Sequence, residues 1–317
     1  MGGLEKSPFF IIFVVSKPKT MSNLGYACIN MTLGKKKITT NRGMIRKTFL
    51  KEGINRASEL GLQNTRDLVE IIKWNEKMGI KLFRITSNLF PWSSEYPLSD
   101  MPHFAPISNL LKGAGVLVSN YGQRITSHPG PFNVLVSPNE KVVMNTITDL
   151  SLHGEVFDLM GLSRTPYNVI NIHCNGVYGD KESAMDRFCR NFERLPESVK
   201  TRLTVENDDK ASMYSVKDLM YIHQRTGIPI VFDYHHHKFC TGGLSEQEAL
   251  ELAMTTWPDG IKPVVHYSES APGKIPQAHS DFISNKIETY GYDLDIEVEA
   301  KMKELAVLNY LNQYGHN

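Results

Sequence analysis

The chain is poor in several features that would announce a class. Its four cysteines (Cys28, Cys174, Cys189, Cys240) are scattered and form no CxxC pair. That excludes a disulfide framework and a thiolate zinc site, and suits a reducing interior. No apolar run approaches the roughly 20 residues of a membrane-spanning helix. The longest near the start, Phe9 to Val15, is followed by Lys17, Pro18 and Lys19 rather than by a small-residue cleavage site. Residues 1–20 therefore read as a variable extension and 21–317 as a single domain. A Gly-rich phosphate loop and a GxSxG elbow are both missing, so Ser–His–Asp catalysis has no supporting context. Acid is missing locally: from Lys6 to Lys51 there are ten Lys or Arg and no Asp or Glu.

With a net charge of +1, the remainder must carry about −9. Such asymmetry separates a basic segment, with Lys35, Lys36 and Lys37 in it, from an acidic body. Two or three bound divalent cations would cancel about +4 to +6 of that negative charge. The loaded protein would then be cationic, and the basic segment is expected to contact phosphates.

What is present is a periodic arrangement of metal-ligand residue types. His128 (QRITSH), His173 (NVINIH), Glu206 (RLTVE), Asp233 (IPIVFD), His266 (KPVVH) and Glu299 (DIEVE) each close a short apolar run, at intervals of 45, 33, 27, 33 and 33 residues. A strand, a return helix and two loops take roughly 30 to 40 residues. The spacing thus places one imidazole or carboxylate at the end of each successive strand of an α/β barrel, where barrel enzymes keep their chemistry.

The rest of the chain agrees. Strand-like LGYACIN (24–30) is followed by a helical pattern over 55–79, then KLFRITS and a helix ending at Gly122. The third strand RITSH precedes a helix over 139–161, and NVINIHCN precedes a helix capped by Asp180 and running to about Arg202. LTVEND, PIVFDYHH, KPVVHYS and DLDIEVEA follow as strands, with helices capped by Ser215 and Ser245 between them and a shorter segment carrying His279. Eight strand–helix alternations without a composition break predict one (β/α)8 TIM barrel.

A carboxylate directly after LTV, IVF or IEV points into a core or a barrel mouth, and burying it costs several kcal/mol unless a metal or a cation pairs with it. Three such acids with three histidines suffice for a multinuclear site. Mixed nitrogen and oxygen ligation fits zinc or manganese, and the carboxylate share leans to manganese. In DYHHH (233–237), His236 is expected as a ligand and His235 and His237 as supporting or solvent-exposed groups; in HSD (279–281), His279 is the expected ligand. His103, His153, His223 and His316 read as surface residues. Closely spaced metal ions lower the pKa of a bridging water and steady both oxygens of an in-line displacement, which is phosphoester cleavage without a nucleophilic side chain.

The strings LGYACIN, RITSNLFPWSS, RITSHPGPF, INIHCNG, VENDD, FDYHHHKF, HYSES, AHSDF and EVEAKMKEL stand in this order from Leu24 to Gly315. Together they resemble the UV damage endonuclease family, in its eukaryotic-type branch, relatives of the barrel-fold apurinic endonucleases. The resemblance implies a barrel with three divalent ions, usually manganese, with zinc or magnesium as alternatives. It implies nicking of damaged double-stranded DNA immediately 5′ to UV photoproducts and some other lesions, leaving a 3′-hydroxyl. On these motifs Glu206 would bridge metals, Asp233, His266 and Glu299 would hold one of them, and these four would form the catalytic set. His128 and His173 would hold a second; His236 and His279 would help hold the third. Tyr26 and Asn30 match positions implicated at the lesion, and Phe132 would stack on exposed bases. A soluble monomer in a reducing intracellular compartment, the nucleus of a eukaryotic host or otherwise the cytoplasm, with no membrane partner, is expected.

Three positions depart from the family pattern. Glu95 stands where a histidine ligand is usual and is taken here as a metal ligand of altered preference. Pro131 replaces a glutamine beside Phe132 and removes a backbone donor. Val264 occupies the place of a lysine two residues before His266, and the nearest lysine is Lys262. A lesion-binding barrel with weakened cleavage is therefore one alternative, and a metal-dependent sugar isomerase or epimerase is another. A steep salt dependence of substrate binding would favour DNA over a sugar.

Overall fold

The structure is a computed structural model that describes residues 22–315; the expected extension 1–20 and His316 lie outside the described residues. Eight strands alternate with helices in chain order. The strands are β1 (Leu24–Ala27), β2 (Leu82–Ile85), β3 (Arg124–Ser127), β4 (Ile170–His173), β5 (Leu203–Glu206), β6 (Ile230–Val231), β7 (Val264–Tyr267) and β8 (Asp295–Val298). The helices are α1 (Met31–Gly34), α2 (Arg46–Lys77), α3 (Phe104–Asn120), α4 (Glu140–Leu159), α5 (Lys181–Phe192), α6 (Glu197–Lys200), α7 (Val216–Thr226), α8 (Tyr234–His237), α9 (Glu246–Met254) and α10 (Glu304–Tyr314).

All strand pairs are parallel, in the order β6-β5-β4-β3-β2-β1-β8-β7. The ring closes between β6 and β7 through an Asp233–His266 bridge, with His266 N–H donating to Phe232 O at 2.9 Å. This is the expected TIM barrel. Strand residues facing outward, such as Ile125, Ile172, Val205, Val265 and Ile296, are buried against helix residues such as Leu68, Ile107, Leu150, Leu219 and Leu250. That annulus is the apolar core.

The inside of the ring is polar. Period-2 alternation sends Asp295 and Glu297 of β8 inward, continuing to Glu299. At the base, Arg124 pairs with Asp295 at 3.0 Å. One layer up, Glu297 receives the Arg84 guanidinium at 2.7 Å and the Thr126 hydroxyl at 2.9 Å. Charged layers thus fill the lower barrel and set the floor of the mouth. Gly25 permits β1 to lie this close to β2, because a Cβ there would sit 2.2 Å from Leu82 O.

Local chemistry explains most boundaries. Ser215 and Ser245 form capping boxes with Asp218 and Glu248. Gly227 ends α7 in the left-handed region at φ 74°. Three expectations need correction. The helix expected from Asp180 to Arg202 stops at Phe192 and resumes as the single turn α6, because Pro196 removes a backbone donor and restricts its predecessor. The sixth strand ends at Val231, since Asp233 caps α8 by accepting from His236 N–H at 2.7 Å. Among the described residues, the stretch between β7 and β8 carries no helix; residues 268–294 form turns and a Ser270–His279 bridge. No helix among the described residues is long and apolar enough to cross a membrane.

Candidate metal centre

The centre assembles around one carboxylate. Glu206, fully buried at the end of β5, is approached by His128 Nε2 and His266 Nδ1 at 3.1 Å each, His236 Nδ1 at 3.2 Å and His173 Nε2 at 3.7 Å. Asn171, inward on β4, also donates to it, and Thr204 donates to Asn171 at 2.8 Å. The four imidazoles arrive from the ends of β3, β4 and β7 and from α8. This is the convergence that a parallel barrel imposes on its strand ends.

Asp233 lies beside Glu206 with no exposure. One of its oxygens caps α8, while Oδ2 has no hydrogen-bond partner. Glu206 Oε1 faces His236 Nδ1 at 3.2 Å but outside hydrogen-bond geometry. Asn207 fixes the Asp233 backbone by accepting its N–H at 2.8 Å and donating to its carbonyl at 3.0 Å. Orphaned, buried carboxylate oxygens amid imidazoles are a poor arrangement for a structure held by protein alone. They are the donor set a divalent cation requires.

Among the described residues, three groupings place ligand atoms within 4.8 Å of one another: His128, His173 and Glu206; Glu206, Asp233 and His236; and His266, Glu297 and Glu299. The electrostatics match. Burial opposes ionisation of Glu206, yet His266, His173, His128 and His236 together hold its carboxyl well below the usual carboxylate range. Burial also opposes the charged form of His236, but Asp233 and Glu206 outweigh it and push that imidazole up to about 11. Against the same burial penalty, Glu206 and Glu297 raise His266 to about 9. For Asp233 burial prevails over the pull of His236, and its carboxyl is raised.

Sequence reading missed several members. Arg84 reaches both Glu297 (2.7 Å) and Glu299 (2.6 Å) from β2. Glu297 joins His266 and Glu299 in one grouping; the alternation in DIEVE, read as a strand, was sufficient to find it. Asp208 meets His173 Nδ1 at 3.2 Å and orients that ring. It stands in VENDD, two residues beyond Glu206, without a local signal of its own.

Other expected site residues fall elsewhere. His279 accompanies Glu299, its Nδ1 lying 2.9 Å from that residue's carbonyl and 3.7 Å from its carboxylate, but it belongs to none of the three groupings. Glu95 lies exposed on a short turn and is in none of them either. Trp92, at φ 60°, turns that segment against α2, stacking on Phe49 at 5.5 Å, which leaves Glu95 to solvent. His235 and His237 are buried rather than exposed, and so is His153, beside Asp149.

Tyr26 does not present a stacking face. It is fully buried, facing outward toward α2, where its hydroxyl donates to Asn75 at 2.7 Å and accepts from Asn30 at 2.9 Å. Asn30 is buried too, as the cap of α1. Both are held by these bonds within the first βα connection. Lys35, Lys36 and Lys37 are exposed, but Lys36 lines a cleft with Lys73, Trp74, Lys77 and Tyr121. That cleft is on the barrel flank, near the C-terminal end of α2 and away from the mouth. Lys262 is also at the wrong end, paired with Asp293 and Asp295 at 2.7 and 3.2 Å, so it does not stand in for a lysine at the buried Val264. Phe132, in the loop after β3, is 88% exposed at the mouth.

Residues 22–316 match the family described as UV-endonuclease UvdE. The chain is 36% identical over 306 residues to the UV-damage endonuclease of Schizosaccharomyces pombe, covering 92% of this chain and 50% of that protein. It thus spans about half the length of that relative. A putative UV-damage endonuclease of Acanthamoeba polyphaga mimivirus is 32% identical over 307 residues, covering 93% of this chain and 92% of the viral protein. The crystal structure of SacUVDE aligns with a TM-score of 0.81 at 32% identity, over 93% of this chain and 100% of that one.

Proposed function

Because this chain belongs to the UV-endonuclease UvdE family, we propose that it is a metal-dependent DNA repair endonuclease. On this reading it nicks the backbone immediately 5′ to UV photoproducts and related lesions and leaves a 3′-hydroxyl. The observation that carries this reading is the buried Glu206 carboxylate with four imidazoles around it and Asp233 Oδ2 unpartnered beside it.

Glu206, Asp233 and His236 would hold one divalent ion, and His128, His173 and Glu206 a second. His266 and Glu299, flanked by His279, would hold a third over the floor that Arg84 and Glu297 make. Manganese suits this carboxylate-rich set, with zinc or magnesium as alternatives. When bound, such ions supply an acidified water and neutralise charge on the phosphodiester. The chain's own residues set the geometry. Asp208 holds the His173 ring, Asn171 holds Glu206, and Arg84 keeps Glu299 ionised and turned toward His266. Phe132 presents its ring to bases that are already poorly stacked, so that distorted DNA costs less to open.

The deciding experiment is nicking of an end-labelled duplex with one defined thymine photoproduct, with Mn²⁺ or with EDTA. A metal-dependent cut 5′ to the lesion, absent from undamaged duplex, is the expected result. Tight lesion binding without a cut at full metal occupancy would replace this reading by the weakened-cleavage one, with Glu95, Pro131 and Val264 as its cause.

Two further outcomes follow from the geometry. Saturating Mn²⁺ is expected to raise the melting temperature over the EDTA-treated protein by about 5 °C or more, since ligand at 100 times its Kd adds about 2.7 kcal/mol to the folded state. An unchanged melt would remove the metal site. Replacing Lys35, Lys36 and Lys37 together by glutamine is expected to leave the salt dependence of DNA binding unaltered, because a flank cannot reach a duplex held at the mouth. Three lost phosphate contacts would instead flatten the log–log slope by about 2.7.

A further inference from the structure

The loop between β4 and α5 (residues 174–180) leaves the barrel directly after His173. Within it Asn175, Gly176, Tyr178 and Gly179 all have positive φ, at 52°, 61°, 50° and 81°. A bulky side chain in the left-handed region is an outlier, and such conformations persist only where surrounding structure enforces them. Here it does. Asn175 Nδ2 donates to Asn133 O at 3.2 Å, and the Tyr214 hydroxyl donates to Gly176 O at 3.0 Å. From α5, Arg187 Nε donates to Val136 O at 2.7 Å, while its guanidinium carbon lies 5.6 Å from the centre of the Tyr178 ring.

The enforced conformation does not bury Tyr178. Tyr178 remains 51% exposed, its ring seated over Gly176, where a Cβ would come within 2.8 Å of Cε2. The same bonds from Asn175 and Arg187 clamp the loop to the one carrying Phe132, which is 88% exposed. Two solvent-facing aromatics are therefore fixed on one tied unit, each a few residues beyond a histidine of the centre. A single exposed ring is ordinary; a strained one locked in register with a second is not explained by packing.

We infer that Tyr178 is a base-stacking residue that, with Phe132, forms a preorganised aromatic platform for nucleobases exposed at a lesion. This rests on the proposed endonuclease function and assigns its lesion recognition to a second loop. Stacking against an aromatic side chain is tolerant of base identity, which fits recognition of distortion rather than of sequence.

The test uses the whole chain and a duplex with 2-aminopurine beside a single thymine photoproduct. Affinity and fluorescence are read in EDTA, and single-turnover nicking in Mn²⁺. Tyr178→Gly removes the ring and suits the positive φ, so its melting temperature should equal or exceed that of the wild type. It is expected to bind the lesion duplex about 10-fold or more weakly, to bind undamaged duplex within about two-fold, and to lose the stacking-dependent fluorescence change. Tyr178→Phe should restore both the lesion affinity and the fluorescence change. Lesion binding by Tyr178→Gly within about two-fold of wild type overturns the inference, as does an equal loss on damaged and undamaged DNA or a Phe variant as weak as the Gly variant. Wild-type protein that shows no preference for the lesion would instead sink the endonuclease reading, and this inference with it.

Discussion

Glu206→Gln is expected to lower single-turnover nicking about a thousand-fold or more while leaving the barrel folded. The amide is nearly isosteric with the carboxylate, so the packing at the end of β5 survives. The charge does not. His128, His173, His236 and His266 all lie within 3.7 Å of this one group, and each loses the anion they share. Two of the three potential metal groupings share Glu206, so both would be weakened together. Nicking is to be measured with Mn²⁺ in excess, alongside metal titration and circular dichroism. A folded variant that cleaves at nearly the wild-type rate would remove Glu206 from the centre.

Arg84→Met should produce the largest loss of stability. Arg84 is the cation that the paired distances give to Glu297 and Glu299, at 2.7 and 2.6 Å, and Glu297 is fully buried. Burial works against the charged guanidinium, but Glu297 and Glu299 overcome that and raise its pKa. Methionine fills much the same volume and leaves the two carboxylates in a low-dielectric barrel with His266, already shared with Glu206, as counter-charge. Breaking a buried pair in this way costs about 3–5 kcal/mol, or roughly 5–8 °C in melting temperature for a domain of this size. The loss should be greater in EDTA than in excess Mn²⁺, because a metal at His266 and Glu299, above Glu297, would restore part of the missing positive charge. A melt within about 2 °C of wild type in EDTA would show that the interior acids are neutralised by other means.

The barrel itself was legible because its signal is local and repeated. Apolar runs of strand length, capping serines and stop glycines recur at an interval that a βα unit sets. The six strand-end residues could be named without coordinates for a similar reason: a parallel barrel points the ends of all its strands at one mouth. His128, His173, Glu206, Asp233 and His266 duly converge, and Glu299 stands beside them. Strand alternation would have added Glu297, had DIEVE been read for its face as well as for its last residue.

Loops and connections obeyed no such rule. Tyr26 and Asn30 stand in a motif that suggested ligand contact, yet the outward side of β1 meets α2, and their polar atoms are spent on Asn75 and on the cap of α1. Lys35–Lys37 looked like a phosphate contact because charge density can be counted along a chain; which side of the barrel it decorates cannot. Glu95 had the right offset from β2, but a left-handed Trp92 and its stacking on Phe49 rotate the turn outward.

The sequence by itself determined the periodic elements and the chemical identity of the strand ends, since both depend on neighbours a few residues away. Only the tertiary structure decided which charge neutralises which. Arg84 and Glu299 are 215 residues apart in the chain and 2.6 Å apart in space. An ion pair closed across a barrel is fixed by the register of strands and carries no local trace.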